Sequence, residues 1–496
     1  MNNRDKILNI LDTLIKSVDQ HSDLNEIIGK AQIYGSLCWH NHVSIYRQDF
    51  WEKLISEKIL KEQYSHFKHD RVTKENLHIA SELYESGGHT RLLKNMLTMD
   101  SVVGDVLVTR QCDLSNIIDS THNYKLYQTK EKTTIEDIIK KCLKYKNIYL
   151  HIHPDDILSA AAVKVAKEIS DNKIRVVFVN HADHCFSYGF CCADLVAEVS
   201  IFGFELSKSR RSLVNKSFFM GIALNIDNLS EIQVKNMDKK INIISGASSS
   251  KYTPIGKNSF SSIAQSILSR IPTAYIHVIG PDYHTDGAFK NLKEKYADRF
   301  LVSSILPYDQ YVLAISQADI YIDSYPMTGG TAFFEARTKG LLTTGLLNSA
   351  SGYTPFDACK YLEIDDLVLA VSDYISDGIN SDLSKKNNNK FILESCYKCH
   401  SIVEIEHRIS DALNGVGLSK AWWVNSNIDL DFYEKKWSSN GTIALDKKII
   451  ENSYINHQIK SNFIRRVIST RLFIKFYVKR FLTDVGRTLF KSLKIR

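Results

Sequence analysis

The stretch from Ala318 to Gly345, ADIYIDSYPMTGGTAFFEARTKGLLTTG, narrows the folds open to this chain more than any other part of it. A short apolar run, Ile320 to Ile322, meets a turn built on Pro326, Thr328, Gly329 and Gly330. Helix-forming residues follow from Thr331, and a second apolar run covers Leu342 to Thr344. The pattern predicts strand, glycine turn, helix and strand, the repeating unit of a parallel α/β sheet. Glycines at such a turn let backbone amides come close to a ligand, and the helix start adds unpaired N–H groups at the positive end of its dipole. Both features suit a phosphate. Glu335 lies one helical turn further in, where a carboxylate can accept hydrogen bonds from a ribose, so the stretch reads as a nucleoside diphosphate site.

The segment DSYPMTGGTAFFEARTKG resembles the donor-binding segment of glycosyltransferases with the GT-B fold, most closely those of the O-linked N-acetylglucosamine transferase type. The resemblance implies an α/β protein of two Rossmann-like domains facing a cleft, with Gly329, Gly330 and Thr331 on the donor diphosphate and Glu335 on the ribose. Retaining enzymes of this fold usually carry two glutamates separated by seven residues; counting back from Glu335, the first position falls on Met327. A second glycine turn, LYESGGHTR, follows a strand pattern over Leu77 to Tyr84 and precedes an amphipathic helix from Arg91. It is similar to the Gly-Gly loop after the first strand in such enzymes, which places Gly87 and Gly88 at the donor cleft.

Further strand patterns at Asp105 to Thr109, Ile148 to Ile152, Ile174 to Val179 and Leu195 to Val199 alternate with helical segments at 135–144 and 159–169. Alternation of this kind predicts a parallel sheet covered on both faces, with ligands at the carboxyl ends of its strands. The segment after Val179, NHADHCFSYGFCCAD, is therefore a candidate site, and it looks like bacterial polysaccharide glycosyltransferases, though more loosely than the donor segment. His181, Asp183 and His184 are the candidate catalytic residues, a histidine or an aspartate-histidine pair taking the acceptor proton. The alternative is that these histidines only hydrogen-bond their loop. A zinc set drawn from His181, His184, Cys185, Cys191 and Cys192 matches no ligand spacing, and no metal is assigned.

Residues from Gly203 to Lys240 read as the crossing between domains. The second unit opens with the strand Ile241 to Ile244 and the loop SGASSSKYTPIGK, where the resemblance assigns Lys251 to the diphosphate, with Lys257 as the alternative. A helix at Ser261 to Leu268, a strand at Ala274 to Ile279 and a helix near Leu292 to Tyr296 follow. Pro307 and Tyr308 border the base or simply start a helix, and Ser349, Ser351, Gly352 and Tyr353 extend the pocket wall. The polar tract Ser381 to Lys390 predicts an exposed loop. Near the N-terminus, Trp39 to His42 reads as a cap on a buried turn in preference to an acceptor contact. The chain thus divides into a helical N-terminal extension (1–72), an acceptor-side domain (73–237), a nucleotide-sugar domain (238–420) and a C-terminal extension (421–496).

A length of 496 residues is too great for one ordinary core, in keeping with two large domains. Nine cysteines scattered through the chain form no disulfide framework and fit a reducing compartment. Cys396, Cys399 and His400 spell a haem-attachment pattern that normally accompanies export, and we read it as coincidence. The N-terminal residues MNNRDKILNILDTLIK hold no signal-peptide core, and no apolar run is long enough to span a bilayer, which predicts a cytoplasmic protein.

The net charge of +7 originates in the tail, where Lys460 to Arg496 carries eleven Lys or Arg against one acid, Asp484. Apolar residues including Phe463, Val467, Leu472, Phe476, Leu482 and Leu489 recur there every three or four positions or so. This predicts a basic amphipathic helix on an anionic membrane surface, with nucleic-acid binding and packing against the body as the competing readings. The resemblance then implies an enzyme peripheral at the inner face of the plasma membrane, with a nucleotide-sugar donor and a lipid-linked or glycan acceptor, in surface polysaccharide (O-antigen or capsule) assembly. It implies no resident cofactor. A nucleotide-sugar epimerase of the same fold and a non-catalytic scaffold protein stay open at this point. No G-x-G-x-x-G follows either first strand, which argues against a dinucleotide-dependent oxidoreductase.

Overall fold

The computed structural model describes residues 3–18, 22–63, 67, 72–84, 87–110, 125–128, 133–226, 229, 231–232, 240–254, 258–281, 287–348, 350–420 and 428–438. Ser86, Lys257, Ser349 and the basic tail at 460–496 lie outside these residues.

Two parallel sheets organise the chain. The first holds β1 (Lys74–Ala80), β2 (Asp105–Val108), β3 (Leu126–Gln128), β4 (Tyr145–His151), β5 (Arg175–Asn180), β6 (Leu195–Glu198) and β7 (Ser217–Phe219), in the spatial order 3-2-1-4-5-6-7. The second holds β8 (Ile241–Gly246), β9 (Ala274–Gly280), β10 (Phe300–Ser304), β11 (Ile320–Ile322) and β12 (Leu342–Thr344), in the order 10-9-8-11-12. Every strand pair is parallel, so each connection crosses a face of its sheet, and helices cover both. Central strands such as β4 and β5 are buried along most of their length, as continuous apolar runs require. This is the expected pair of Rossmann-like domains of the GT-B fold.

Strand order reverses beside β1 in the first sheet and beside β8 in the second. Loops leaving adjacent strands at such a point diverge to opposite faces and open a crevice at the carboxyl edge. The loops after β1 and β4, and those after β8 and β11, therefore define where each domain can hold a ligand.

Helices Asn3–Lys16, Leu24–His40 and Phe50–Gln63 share one apolar core with β1, β4 and the helix Ile157–Ile169, through Leu11, Ile27, Leu37, Trp51 and Ile55. Asp156 caps that last helix by accepting from the Ser159 N–H, so Asp155 and Asp156 mark a helix start. After Leu37 the second helix ends at Asn41, whose side chain donates to the Leu37 carbonyl at 2.8 Å. A separate core joins the two domains, with Leu92, Met96, Val177 and Phe218 meeting Ile244, Tyr321, Phe333 and Phe334. The chain also crosses back: Arg408, on the helix Ile402–Leu413, donates to the Met220 carbonyl at 2.8 Å.

Two sequence expectations need correction, and a third observation accounts for a spacing that the sequence left as coincidence. The tract at 381–390 is no exposed loop: Asp382–Asn387 is a helix capped by Ser381, with Leu383, Ser384 and Asn387 buried. Its polar residues serve the interior, the Asn387 amide bonding the Thr343 N–H at 2.9 Å and the Thr343 carbonyl at 3.0 Å. The stretch from Gly203 belongs to the first domain, where it completes the helix Ile201–Ser209 and supplies the edge strand β7; a three-residue strand is too short to show a period. Cys396, Cys399 and His400 are buried in the helix Lys390–His400, and His400 Nδ1 accepts the Ile222 N–H at 3.0 Å, so the haem-like spacing is a packing feature. None of the eight cysteines among the described residues is in a disulfide.

Leu383 tests the first correction. Leu383→Ala is expected to destabilise the protein by about 2–5 kcal/mol, as for a buried leucine, and Lys385→Ala on the exposed face by no more than about 0.5 kcal/mol. Denaturant unfolding of the two variants checks it; equal, small effects would return the tract to a loop.

Candidate functional site

Three of the loops that the topology singles out, those after β1, β8 and β11, meet the loop after β5 in one cleft of about 360 Å³, within the usual range for ligand pockets. Its lining includes Gly87 and Gly88 after β1, His181 and His184 after β5, Lys251 after β8, and Thr328 to Thr331 after β11. The residues picked out by sequence thus converge from both domains, with two exceptions: Asp183 lies behind the surface and Glu335 to one side.

The turn after β11 is held from beneath by Asp323, which is almost wholly buried. One carboxylate oxygen accepts the Gly329 N–H at 2.7 Å and the Ser324 N–H at 2.9 Å; the other accepts the Thr328 hydroxyl at 2.5 Å and the Lys360 ammonium at 2.8 Å. Lys360 also pairs with Asp357 at 2.7 Å. Burial opposes its charge, but the two carboxylates outweigh that and raise its pKa. Gly330 sits at φ +57° and ψ −103°, which a side chain would strain, and its N–H reaches Thr328 Oγ1 at 3.3 Å. Both glycine amides therefore shape the turn. The helix Thr331–Thr338 starts at its exit, with its first-turn amides at the cleft edge.

Lys251 ties the β8 loop to this turn, its ammonium donating to the Thr328 carbonyl at 2.9 Å and more distantly to that of Gly329. Burial lowers its pKa, against the pull of Asp323 and Asp183. Such a charge lacks full compensation and gains by meeting an anion. Across the cleft, a Cβ on Gly88 would lie 2.9 Å from Thr331 Oγ1, so only glycine lets the two domains approach this closely.

Glu335 is buried and doubly engaged. Tyr308 donates its hydroxyl to one carboxylate oxygen at 2.7 Å, and Arg91, from the first domain, forms an ion pair with the other. The Arg91 guanidinium also lies over the Tyr308 ring, 5.2 Å from its centre. Sequence reasoning passed over Arg91, although it ends the quoted motif LYESGGHTR.

On the opposite wall, Asp183 is fully buried. It accepts the hydroxyls of Ser200 and of Tyr353, the latter from the second domain at 2.6 Å, and lies 3.7 Å from the His184 ring. His184 lines the cleft and is the histidine that Asp183 can steady. His181 packs inward, its Nε2 2.8 Å from His151 Nδ1. Burial, then the neighbouring His89 and His153, hold its pKa well below the ordinary histidine value, which makes it a weak base. Behind His184, Tyr433 donates to its carbonyl oxygen at 2.9 Å.

No protein-family model and no curated protein matches this chain. Solved structures similar to it include the lipopolysaccharide outer core galactosyltransferase WaaB in its apo form, 14% identical over 69% of this chain and 100% of that one, with a TM-score of 0.47. Anabaena Alr3699/HepE in complex with UDP and glucose is 13% identical over 68% of this chain and 99% of that one, with a TM-score of 0.48. A mutant O-GlcNAc transferase of Thermobaculum terrenum is 10% identical over 88% of this chain and 82% of that one, with a TM-score of 0.43.

The Asp323–Lys360 pair sets a testable contrast. Lys360→Met leaves two buried carboxylates without their cation and is expected to cost about 3–5 kcal/mol. Arg270→Ala breaks the solvent-exposed pair with Asp365 and should cost no more than about 1 kcal/mol. Thermal unfolding of both variants decides it; equal shifts would remove Lys360 from the support of the turn.

Proposed function

We propose that the protein is a glycosyltransferase that moves a sugar from a nucleoside diphosphate donor to a hydroxyl acceptor. One observation carries the reading: switch-point loops of two parallel sheets meet in a single cleft, with a partly buried lysine and a helix start on one wall and a histidine loop on the other.

As the sugar–phosphate bond breaks, negative charge grows on the departing diphosphate. Lys251 and the first-turn amides from Thr331 are fixed beside the cleft before reaction, and preorganised donors of this kind stabilise developing charge without reorganising. Thr328, Gly329 and Gly330 set the wall's shape. His184 takes the acceptor proton, with Asp183 steadying the imidazole that becomes charged. Glu335 and Tyr308 border the nucleoside; a ribose that hydrogen-bonds Glu335 competes with Arg91 for the carboxylate.

Among the described residues no helix is long and apolar enough to cross a membrane. The basic tail at 460–496 would hold the enzyme at an anionic surface by charge and an apolar stripe, which suits a lipid-linked acceptor in bacterial surface polysaccharide assembly.

Thermal-shift titration with UDP, GDP, CDP, ADP and dTDP tests the donor site. One base should raise the unfolding temperature selectively, because a ligand stabilises only the state it binds. Lys251→Ala should weaken that nucleotide by about 10- to 100-fold, the range for a charge-assisted hydrogen bond. His184→Ala should keep nucleotide affinity and slow transfer by about 10²–10⁴-fold. A free epimerised sugar as sole product would favour an epimerase, and no response to any nucleotide would favour a scaffold.

A further inference from the structure

A row of histidines runs from the first domain's core to the cleft. His78 lies on β1, His151 ends β4, His181 follows β5, and His89 stands in the first turn of the helix Gly88–Met96. Their hydrogen bonds fix the protons. A carbonyl can only accept, so His78 Nε2, 2.8 Å from the Val102 oxygen, carries the hydrogen. His78 Nδ1 is then an acceptor and takes the Nε2–H of His151 at 3.0 Å. That leaves His151 Nδ1 as an acceptor too, taking the Nε2–H of His181 at 2.8 Å. His89 is held by a hydrogen bond to the His151 backbone, while its Nε2 is buried without a partner.

We propose that His89, His151 and His181 form a binding site for a divalent transition cation of the zinc class. One ring nitrogen from each lies within 4.8 Å of the other two. Three imidazoles are a common catalytic set for zinc, whose bonds of roughly 2.0–2.1 Å put its ligand atoms about 3.3 Å apart. The site requires the two partly exposed rings, His89 and His181, to rotate so that the nitrogens reach that spacing. His181 needs only to move its proton to the other ring nitrogen. Orienting groups behind the ligands are already in place: His151 is backed by His78 and the Val102 carbonyl, and His89 by the His151 backbone, as metal-bound histidines require. Burial first, and then the neighbouring rings, hold His89 down to about 3 and His151 and His181 well below the usual value, so all three offer lone pairs at neutral pH.

His89 and His181 line the cleft beside His184, so the fourth coordination position opens into it. An oxygen ligand there, water or a hydroxyl, would be acidified by the ion. That last role rests on the transfer reaction proposed above, whereas binding of the ion does not.

The test uses the full chain, stripped of metal with a chelator and titrated with Co²⁺ alone and then with Zn²⁺ alone. The expected result is one equivalent of Co²⁺ with the visible bands of four-coordinate cobalt, displaced by Zn²⁺. His89→Ala, at a partly exposed position, should keep the folded circular-dichroism spectrum and weaken binding by on the order of 100-fold or more, and His78→Gln by about 10- to 100-fold through the orienting group. Absence of saturable binding by the folded protein, or binding unchanged in folded His89→Ala, would overturn the site and leave the row as a hydrogen-bonded relay. Neither outcome touches the nucleotide titration, so the two proposals fail separately.

Discussion

The cleft depends first on one carboxylate. Asp323 has about four lone-pair positions, and the protein fills four: two backbone N–H groups, one hydroxyl and one ammonium. A buried charge survives only where such bonds offset its desolvation, so each donor is needed by the carboxylate as much as it is positioned by it. Gly329 cannot swing out without unpairing Asp323, and Lys360 cannot leave without freeing two acids. The glycine turn consequently keeps its shape with no ligand present. This cost of folding falls in the core, away from the reacting groups, and leaves Lys251 and the start of the helix Thr331–Thr338 as the polar edge that a ligand meets.

Around the apolar core that they share, the two domains also hold each other through specific contacts at the cleft. Arg91 meets Glu335, Tyr353 meets Asp183, and Gly88 lies against Thr331. The first places a cation from one domain on a carboxylate from the other, and a competing hydrogen-bond donor weakens it directly. Tyr353 makes a different coupling: its hydroxyl fixes the acid that stands behind His184, so the position of the second domain bears on the orientation of a histidine in the first. An arrangement of this kind makes this wall of the cleft complete only when the domains are together.

Much of this was legible in the sequence wherever a short signal maps onto a local shape. Gly329, Gly330 and Thr331 announce a strand-to-helix turn, with Gly330 at a φ of +57° that favours glycine, and Lys251 follows five residues after its strand. The glycine count, however, gives no hint that the amides of Gly329 and Gly330 are taken by Asp323 and Thr328. That depends on Lys360, 37 residues downstream of Asp323. Long-range partners were hidden for the same reason in the helix Asp382–Asn387, where a polar composition conceals Asn387 bonding to Thr343 across 44 residues. The histidines show the limit most clearly. His78, His89, His151 and His181 sit 11 to 103 residues apart and have no common motif; only the order of β1, β4 and β5 in the sheet brings them together.

The helix Leu430–Ser438 completes the site from outside. Tyr433 donates to the His184 carbonyl and lies 3.1 Å from His42 Nε2, while Lys436 reaches the Tyr325 hydroxyl at 3.1 Å. Arg210 pairs with Asp431 and Glu434 on the same helix. One short element therefore touches the N-terminal helical layer, the histidine loop and the strand-end of the glycine turn. Its own sequence, LDFYEKKWS, carries too few residues for a stable isolated helix, so tertiary contacts must hold it. The dependence runs both ways: the helix is ordered by the assembled domains, and the loop bearing His184 is braced by the helix.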